Sequence, residues 1–105
     1  MNIGYFKYTK HEESGALFCD WSLNLDGKFI SGTGETAPTT NVDFSGEYVI
    51  TYTHDTGYVS EPYTLIIRKQ DNDFSLKWFQ DDVLKCIGLG TLHDNMLIGG
   101  WRNVT

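Results

Sequence analysis

The sequence predicts an all-β domain: an antiparallel barrel of about eight strands in up-and-down order. Three observations predict it. First, between Tyr63 and Arg102 four short apolar runs are separated by the polar turns Gln70–Asp73, Gln80–Asp82 and His93–Asn95. Runs of about 6–8 residues rich in β-branched and aromatic side chains are strands, and turns this short make neighbouring strands antiparallel. Second, Ala16–Leu25 alternates. Leu17, Cys19, Trp21, Leu23 and Leu25 share one face and Asp20, Ser22 and Asn24 the other, with Phe18 the exception. Such a strand has one buried and one wet face. Third, no segment has helical period, and glycines at 46, 88, 90, 99 and 100 interrupt the strands. That placement suits a sheet that coils strongly and closes on itself.

Taken in order, Ile3–Thr9 is the first strand, with Tyr5, Lys7 and Thr9 on one face and Gly4, Phe6 and Tyr8 on the other. Thr9-Lys10-His11-Glu12 has capping-box spacing, but Glu13-Ser14-Gly15 offers no apolar face, so the stretch reads as a charged hairpin loop. Asp26-Gly27 after the second strand is a two-residue hairpin turn that needs positive φ. Lys28–Gly32 returns as the third strand, and Thr33–Asn41 reads as a polar linker. Within it, Gly32-Thr33-Gly34-Glu35-Thr36-Ala37 matches a dinucleotide fingerprint, yet Pro38 and the threonines supply no helix to receive a pyrophosphate.

Phe44–Thr53 is the fourth strand, with Phe44, Tyr48, Ile50 and Tyr52 on one side. The chain turns at His54–Gly57, and Tyr58–Pro62 leads into the four strands of the meander. There Tyr63, Leu65 and Ile67 oppose Thr64, Ile66 and Arg68, and Phe74, Leu76 and Trp78 oppose Ser75, Lys77 and Phe79. From Val83 to Leu92 the alternation blurs. An internal echo runs through the chain: Trp21 precedes a turn, a strand and Gly32-Thr33-Gly34, as Trp78 precedes a turn, a strand and Gly88-Leu89-Gly90.

At 105 residues the chain is read as one domain with one core, whose buried area comes mostly from three Trp, six Tyr and six Phe. A net charge of −6 with scattered basic residues argues against nucleic acid, whose affinity comes from neutralised phosphates. No run approaches the ~20 apolar residues of a membrane span. Met1–Lys7 lacks the basic-then-apolar pattern of a signal peptide, so the expectation is a cytoplasmic protein with Cys19 and Cys86 as buried thiols.

Phe44-Ser45-Gly46-Glu47-Tyr48, Tyr63–Ile67, Phe74–Trp78, Gly88-Leu89-Gly90 and Leu97–Arg102 together resemble the small lipocalin-like and avidin-like barrels of the calycin type. Those domains share glycine-then-aromatic strand starts, a Trp in a central strand and a basic residue near the end of the closing strand. The resemblance covers about residues 44–102 and implies a closed up-and-down barrel that binds a small hydrophobic ligand. It also sets Arg102 beside Trp101 as a residue that would close one barrel end by stacking on an aromatic. The Gly-x-Trp of the lipocalin first strand is missing, since Gly4 is followed by Tyr5 and Phe6, and the avidin biotin-binding set has no counterpart here.

No catalytic constellation emerges, and the domain is read as a non-enzymatic binding domain without cofactor or metal. His11, His54 and His93 all fall in loops. The pairs His54-Asp55 and His93-Asp94 could hold a metal only if their two loops met at one rim. Glu12-Glu13 and Asp81-Asp82 lie in hairpin turns, where they serve solubility and protect edges. The candidate ligand-binding residues are Trp21, Tyr48, Tyr52, Trp78 and Trp101, which either line a pocket with their polar tips turned to a ligand or simply fill the barrel. The alternative is a protein-interaction or regulatory module that acts as a homodimer. Phe6, Phe18 and Phe79, with Tyr8 and Ile66, lie on faces opposite the main apolar sets and would build its interface, provided that Phe18 and Phe79 come together.

Overall fold

The computed structural model describes residues 3–104. They form eight strands: β1 (Ile3–Lys10), β2 (Leu17–Leu25), β3 (Lys28–Thr36), β4 (Gly46–His54), β5 (Tyr63–Gln70), β6 (Asp73–Gln80), β7 (Val83–His93) and β8 (Met96–Asn103). Each strand pairs antiparallel with its neighbours in sequence, and β8 pairs back with β1, so the sheet is a closed up-and-down barrel. No helix occurs among the described residues.

The turns explain the order. Residues 26–27, 71–72, 81–82 and 94–95 are two-residue connections. Positive φ falls on Asp26, Gly27, Asp71, Asp81, Asp82, Asp94 and Asn95. Asp and Asn tolerate that conformation because a short polar side chain can bond locally, and the resulting turn twist matches the strands it joins. The fourth strand opens at Gly46, whose φ of 134° puts it outside the range of other residues.

Six of the strands turn large apolar side chains inward. Phe6 and Tyr8, Leu17, Cys19 and Trp21, Tyr48 and Ile50, Leu65 and Ile67, Phe74, Leu76 and Trp78, and Leu97 point inward and are buried. Four expectations change. Thr33–Thr36 belongs to β3 and is not linker: Gly32, Gly34 and Thr36 pair with His54, Tyr52 and Ile50 of β4. Phe6 and Tyr8 face the interior while Tyr5, Lys7 and Thr9 face water, the reverse of an outward Phe6 and Tyr8. Phe18 is on β2 and Phe79 on β6, four strands apart in a ring of eight, so they lie on opposite walls and cannot share a patch. Arg102 points outward and donates to the Asn103 carbonyl instead of closing the barrel. The blurred alternation in β7 has a local cause: Trp78 faces Cys86 and Phe79 faces Leu84, so Lys85 is an extra residue in a bulge.

One end of the barrel is plugged. Leu17, Phe44, Tyr48, Phe74 and Leu76 fill it, and Phe44 meets Phe74 edge to face at 6.4 Å. The Tyr48 hydroxyl bonds the Phe44 carbonyl at 3.0 Å. Lys10 lies over the Tyr48 ring, 5.4 Å from its centroid, and its ammonium reaches the Gly15 carbonyl at 3.1 Å. The cation that closes an end against an aromatic is therefore Lys10, with its stem packed and its charge at the rim.

Candidate functional site

The other end opens into a cup. A cavity of about 210 Å³ extends inward from the rim formed by Leu23, His54, Ser60, Tyr63 and Asn103, past Trp21 and Trp101, to Phe6, Tyr8, Tyr52 and Trp78. Trp21, Tyr52, Trp78 and Trp101 of the sequence-derived set come together around it. Tyr48 does not. It shares a face with Tyr52, but four residues of strand at ~3.3 Å each carry it to the plugged end, where it packs beneath Lys10.

Glycines make this crowding of rings possible. Trp21 faces Gly32 across the β2–β3 ladder, and Trp101 faces both Gly4 and Gly88. A Cβ on Gly4 would come within 2.5 Å of the Trp101 indole, and one on Gly88 within 3.0 Å of Trp78. The echo between Trp21…Gly32 and Trp78…Gly88 thus has a physical reading: on opposite walls, a tryptophan lies beside a glycine of the next strand. The rings meet mostly edge to face, Trp21 with Tyr52 at 6.3 Å and Tyr52 with Tyr63 at 5.7 Å. Such geometry leaves π-faces available to a guest.

A polar cluster lies within the cup. The Trp78 Nε1–H donates to the Tyr52 hydroxyl at 2.6 Å, and the Tyr52 and Tyr8 hydroxyls are 2.6 Å apart. Burial, then the neighbouring Tyr52, holds Tyr8 protonated well above the ordinary tyrosine range. Burial likewise drives Tyr52 upward. Cys19 and Cys86, both free, complete the wall. Burial pushes the Cys19 thiol up to about 12 and that of Cys86 to about 11, so both are neutral thiols and weak nucleophiles. The Cys86 thiol donates to Asn103 Oδ1 at 3.3 Å. Among the described residues no Asp, Glu, Lys or Arg lines the cavity.

The rim next to β4 is unusual. β4 pairs with β5 only through Gly46–Ile50 and Tyr63–Ile67. Above that point the chain doubles back: Thr53 bridges Val59, the His54 amide donates to the Tyr58 carbonyl, and the Ser60 amide donates to the Tyr52 carbonyl. Ser60 Oγ in turn accepts from the Tyr52 amide at 3.0 Å. Residues 58–60 thus stand beside the upper half of β4. His54 is held edge-on between Trp21 and Tyr58, each 5.1 Å away.

The two His-Asp pairs lie at opposite ends, His54-Asp55 at the rim and His93-Asp94 in the β7–β8 turn beyond the plug. Among the described residues no three His, Cys, Asp or Glu side chains group as a metal site. Sequence reasoning missed Phe6, Tyr8, Tyr63 and His54 as cavity residues. The first two were legible from β1, where Lys7 and Thr9 mark the wet face; His54 was hidden by its place at a strand end. Comparison with protein-family models, curated proteins and solved structures finds no match. Fold and site define an eight-stranded closed antiparallel barrel, compatible with a calycin-like fold, with one end plugged and an aromatic cup at the other.

Proposed function

We propose that this domain is a non-enzymatic binding protein that takes one small apolar ligand into its cup, as the lipocalin-like and avidin-like barrels it resembles do. The observation that carries the reading is the cavity itself: about 210 Å³, open at one end, with all three tryptophans on its wall. Apolar cavities of ~150 Å³ hold benzene, and drug-sized ligands occupy about 300–1,000 Å³, so the cup suits one or two fused rings. Its lack of charged side chains, in a chain of net charge −6, favours neutral ligands. Titration with 1-aminonaphthalene, a two-ring probe, read by probe emission and tryptophan quenching, tests the reading. It expects saturation at one probe per chain and weaker binding in Leu23→Trp, which narrows the cup. A wild-type chain that shows no saturable binding overturns it.

A second reading, self-association, is favoured by a different surface from Phe18 and Phe79. Tyr5, Gly100 and Leu89 stand in one row across β1, β8 and β7. Tyr5 is 56% and Leu89 70% exposed, with Ile3 at 59% nearby on β1. Analytical ultracentrifugation at micromolar concentration decides it: a dimer that Leu89→Asp dissociates supports this surface, and an 11.9 kDa monomer removes it.

A further inference from the structure

We propose that the cup presents one unpaired hydrogen-bond donor, from the Tyr8–Tyr52–Trp78 cluster, and that its ligands are neutral one- or two-ring compounds carrying a hydrogen-bond acceptor at their buried end. The inference rests on the cup being a ligand site and adds the chemical class of what enters.

The argument is a proton count. Tyr8 and Tyr52 each own one O–H, and Trp78 owns one N–H that can only donate. Three protons therefore meet in this cluster, and two short contacts join its members, Trp78 Nε1 to Tyr52 and Tyr52 to Tyr8. Each contact uses one proton. If Tyr52 donates to Tyr8, the Tyr8 proton is left over; if Tyr8 donates to Tyr52, the Tyr52 proton is left over. Among the described residues, the one other polar side chain that engages the Tyr8 hydroxyl is the Cys19 thiol, and sulfur is a weak acceptor. All of these groups line the cavity, and Tyr8 is fully buried.

A buried donor without a good acceptor is the costlier kind of unsatisfied group, since acceptors have a second lone pair to spare. A guest that brings a carbonyl, ether or ring-nitrogen acceptor removes that cost. A purely hydrocarbon guest leaves it in place. A carboxylate would satisfy the donor but would have to bury its charge beside no cation, in a wall of aromatic rings. Both phenols hold their protons because burial disfavours the phenolates, so the donor persists through neutral pH.

The test compares tetralin with 1-tetralone, the same two-ring skeleton without and with a carbonyl, by displacement of 1-aminonaphthalene. The ketone is expected to bind about 2- to 10-fold more tightly than the hydrocarbon, the worth of one net hydrogen bond, although it is the more water-soluble of the two. The infrared carbonyl band of bound 1-tetralone is expected to lie below its position in hexane. In the triple variant Tyr8→Phe, Tyr52→Phe, Trp78→Phe, which removes donors and acceptors together, the preference is expected to reverse. If that variant does not fold, the carbonyl band in the wild type decides alone. Equal or tighter binding of tetralin with a hexane-like ketone band overturns the donor while leaving the cup a ligand site. Failure of both compounds to displace the probe overturns the ligand class, and failure of the probe itself overturns the site.

Discussion

Tyr52 lies against Gly34 of the neighbouring strand so closely that a Cβ at position 34 would fall 2.6 Å from its Cδ1. The two residues are register partners in the β3–β4 ladder. The Tyr52 Cε1 would be 2.8 Å from that Cβ, and the nearest atom outside the ring, the Thr51 carbonyl oxygen, 3.3 Å, so the tyrosine ring is the main obstacle. Gly34→Ala is therefore expected to destabilise the barrel by about 1–3 kcal/mol through overpacking. Part of that loss should vanish in a Tyr52→Leu background. Urea denaturation of the four chains of the cycle checks it, with an expected coupling of about 0.5–3 kcal/mol between the sites.

Removing one hydroxyl tests the polar cluster independently of any ligand. Tyr52→Phe keeps the ring but takes away the acceptor of Trp78 Nε1–H and the partner of Tyr8. The expected cost is about 1–3 kcal/mol, the penalty for leaving a buried donor unmet. Tyr8→Phe should cost less, because the Trp78–Tyr52 bond survives it. Urea midpoints of the two variants give the order, and an equal loss in both would contradict it.

Alkaline pH should weaken the fold. Cys19 holds its proton up to about 12 in the barrel, whereas an unfolded thiol releases it near ~8.5. The folded pKa is the higher one, so the contribution is fully present below about pH 8.5 and is lost as pH rises toward 12. Over that window it falls by about 1.4 kcal/mol per pH unit. Tyr8 and Tyr52, whose folded values are also raised, add to the loss above about pH 10. Urea unfolding between pH 7 and 10.5 measures the slope, and Cys19→Ala should make its first part shallower, the remainder coming from Cys86, whose thiol is also raised.

How much of this was legible in the chain differs by feature. Two-residue turns with Asp, Asn or Gly leave little freedom, and apolar alternation in β2, β5 and β6 sets which face turns inward, so barrel and strand order could be read directly. The third strand is not legible beyond Gly32 because Gly-Thr-Gly-Glu-Thr has no apolar face; its inward positions are occupied by rings from β2 and β4, which a one-dimensional pattern does not display. Four of the seven cup aromatics could be named, but Tyr48 and Tyr52 could not be separated, since alternation gives a residue's face and not its depth along the barrel. The bulge at Lys85 was visible only as lost alternation.

Hydrogen exchange should find the weak seam. The β4–β5 ladder stops at Ile50 and Tyr63, and the upper part of β4 is flanked by residues 58–60 through a few bonds from a connecting segment. Amides of His54 and Ser60 are expected to exchange faster than those of Leu65 and Ile67, which belong to the buried part of the ladder. Uniform protection around the rim would contradict that expectation.

The ring closure between β1 and β8 has a consequence for connectivity. Ile3 and Arg102 are register partners, so the start of the first strand and the end of the last lie one strand spacing apart, about 5 Å. Every other connection in the ring is a local hairpin or short loop, which makes this pairing the sole contact between neighbouring strands that the covalent chain does not itself enforce. A short peptide joining these two ends, with a new opening cut between Asp94 and Asn95 in the turn far from the cup, would give a circular permutant with the same cyclic strand order. In such a chain the closure would fall at the plugged end, and the mouth would be spanned by four loops.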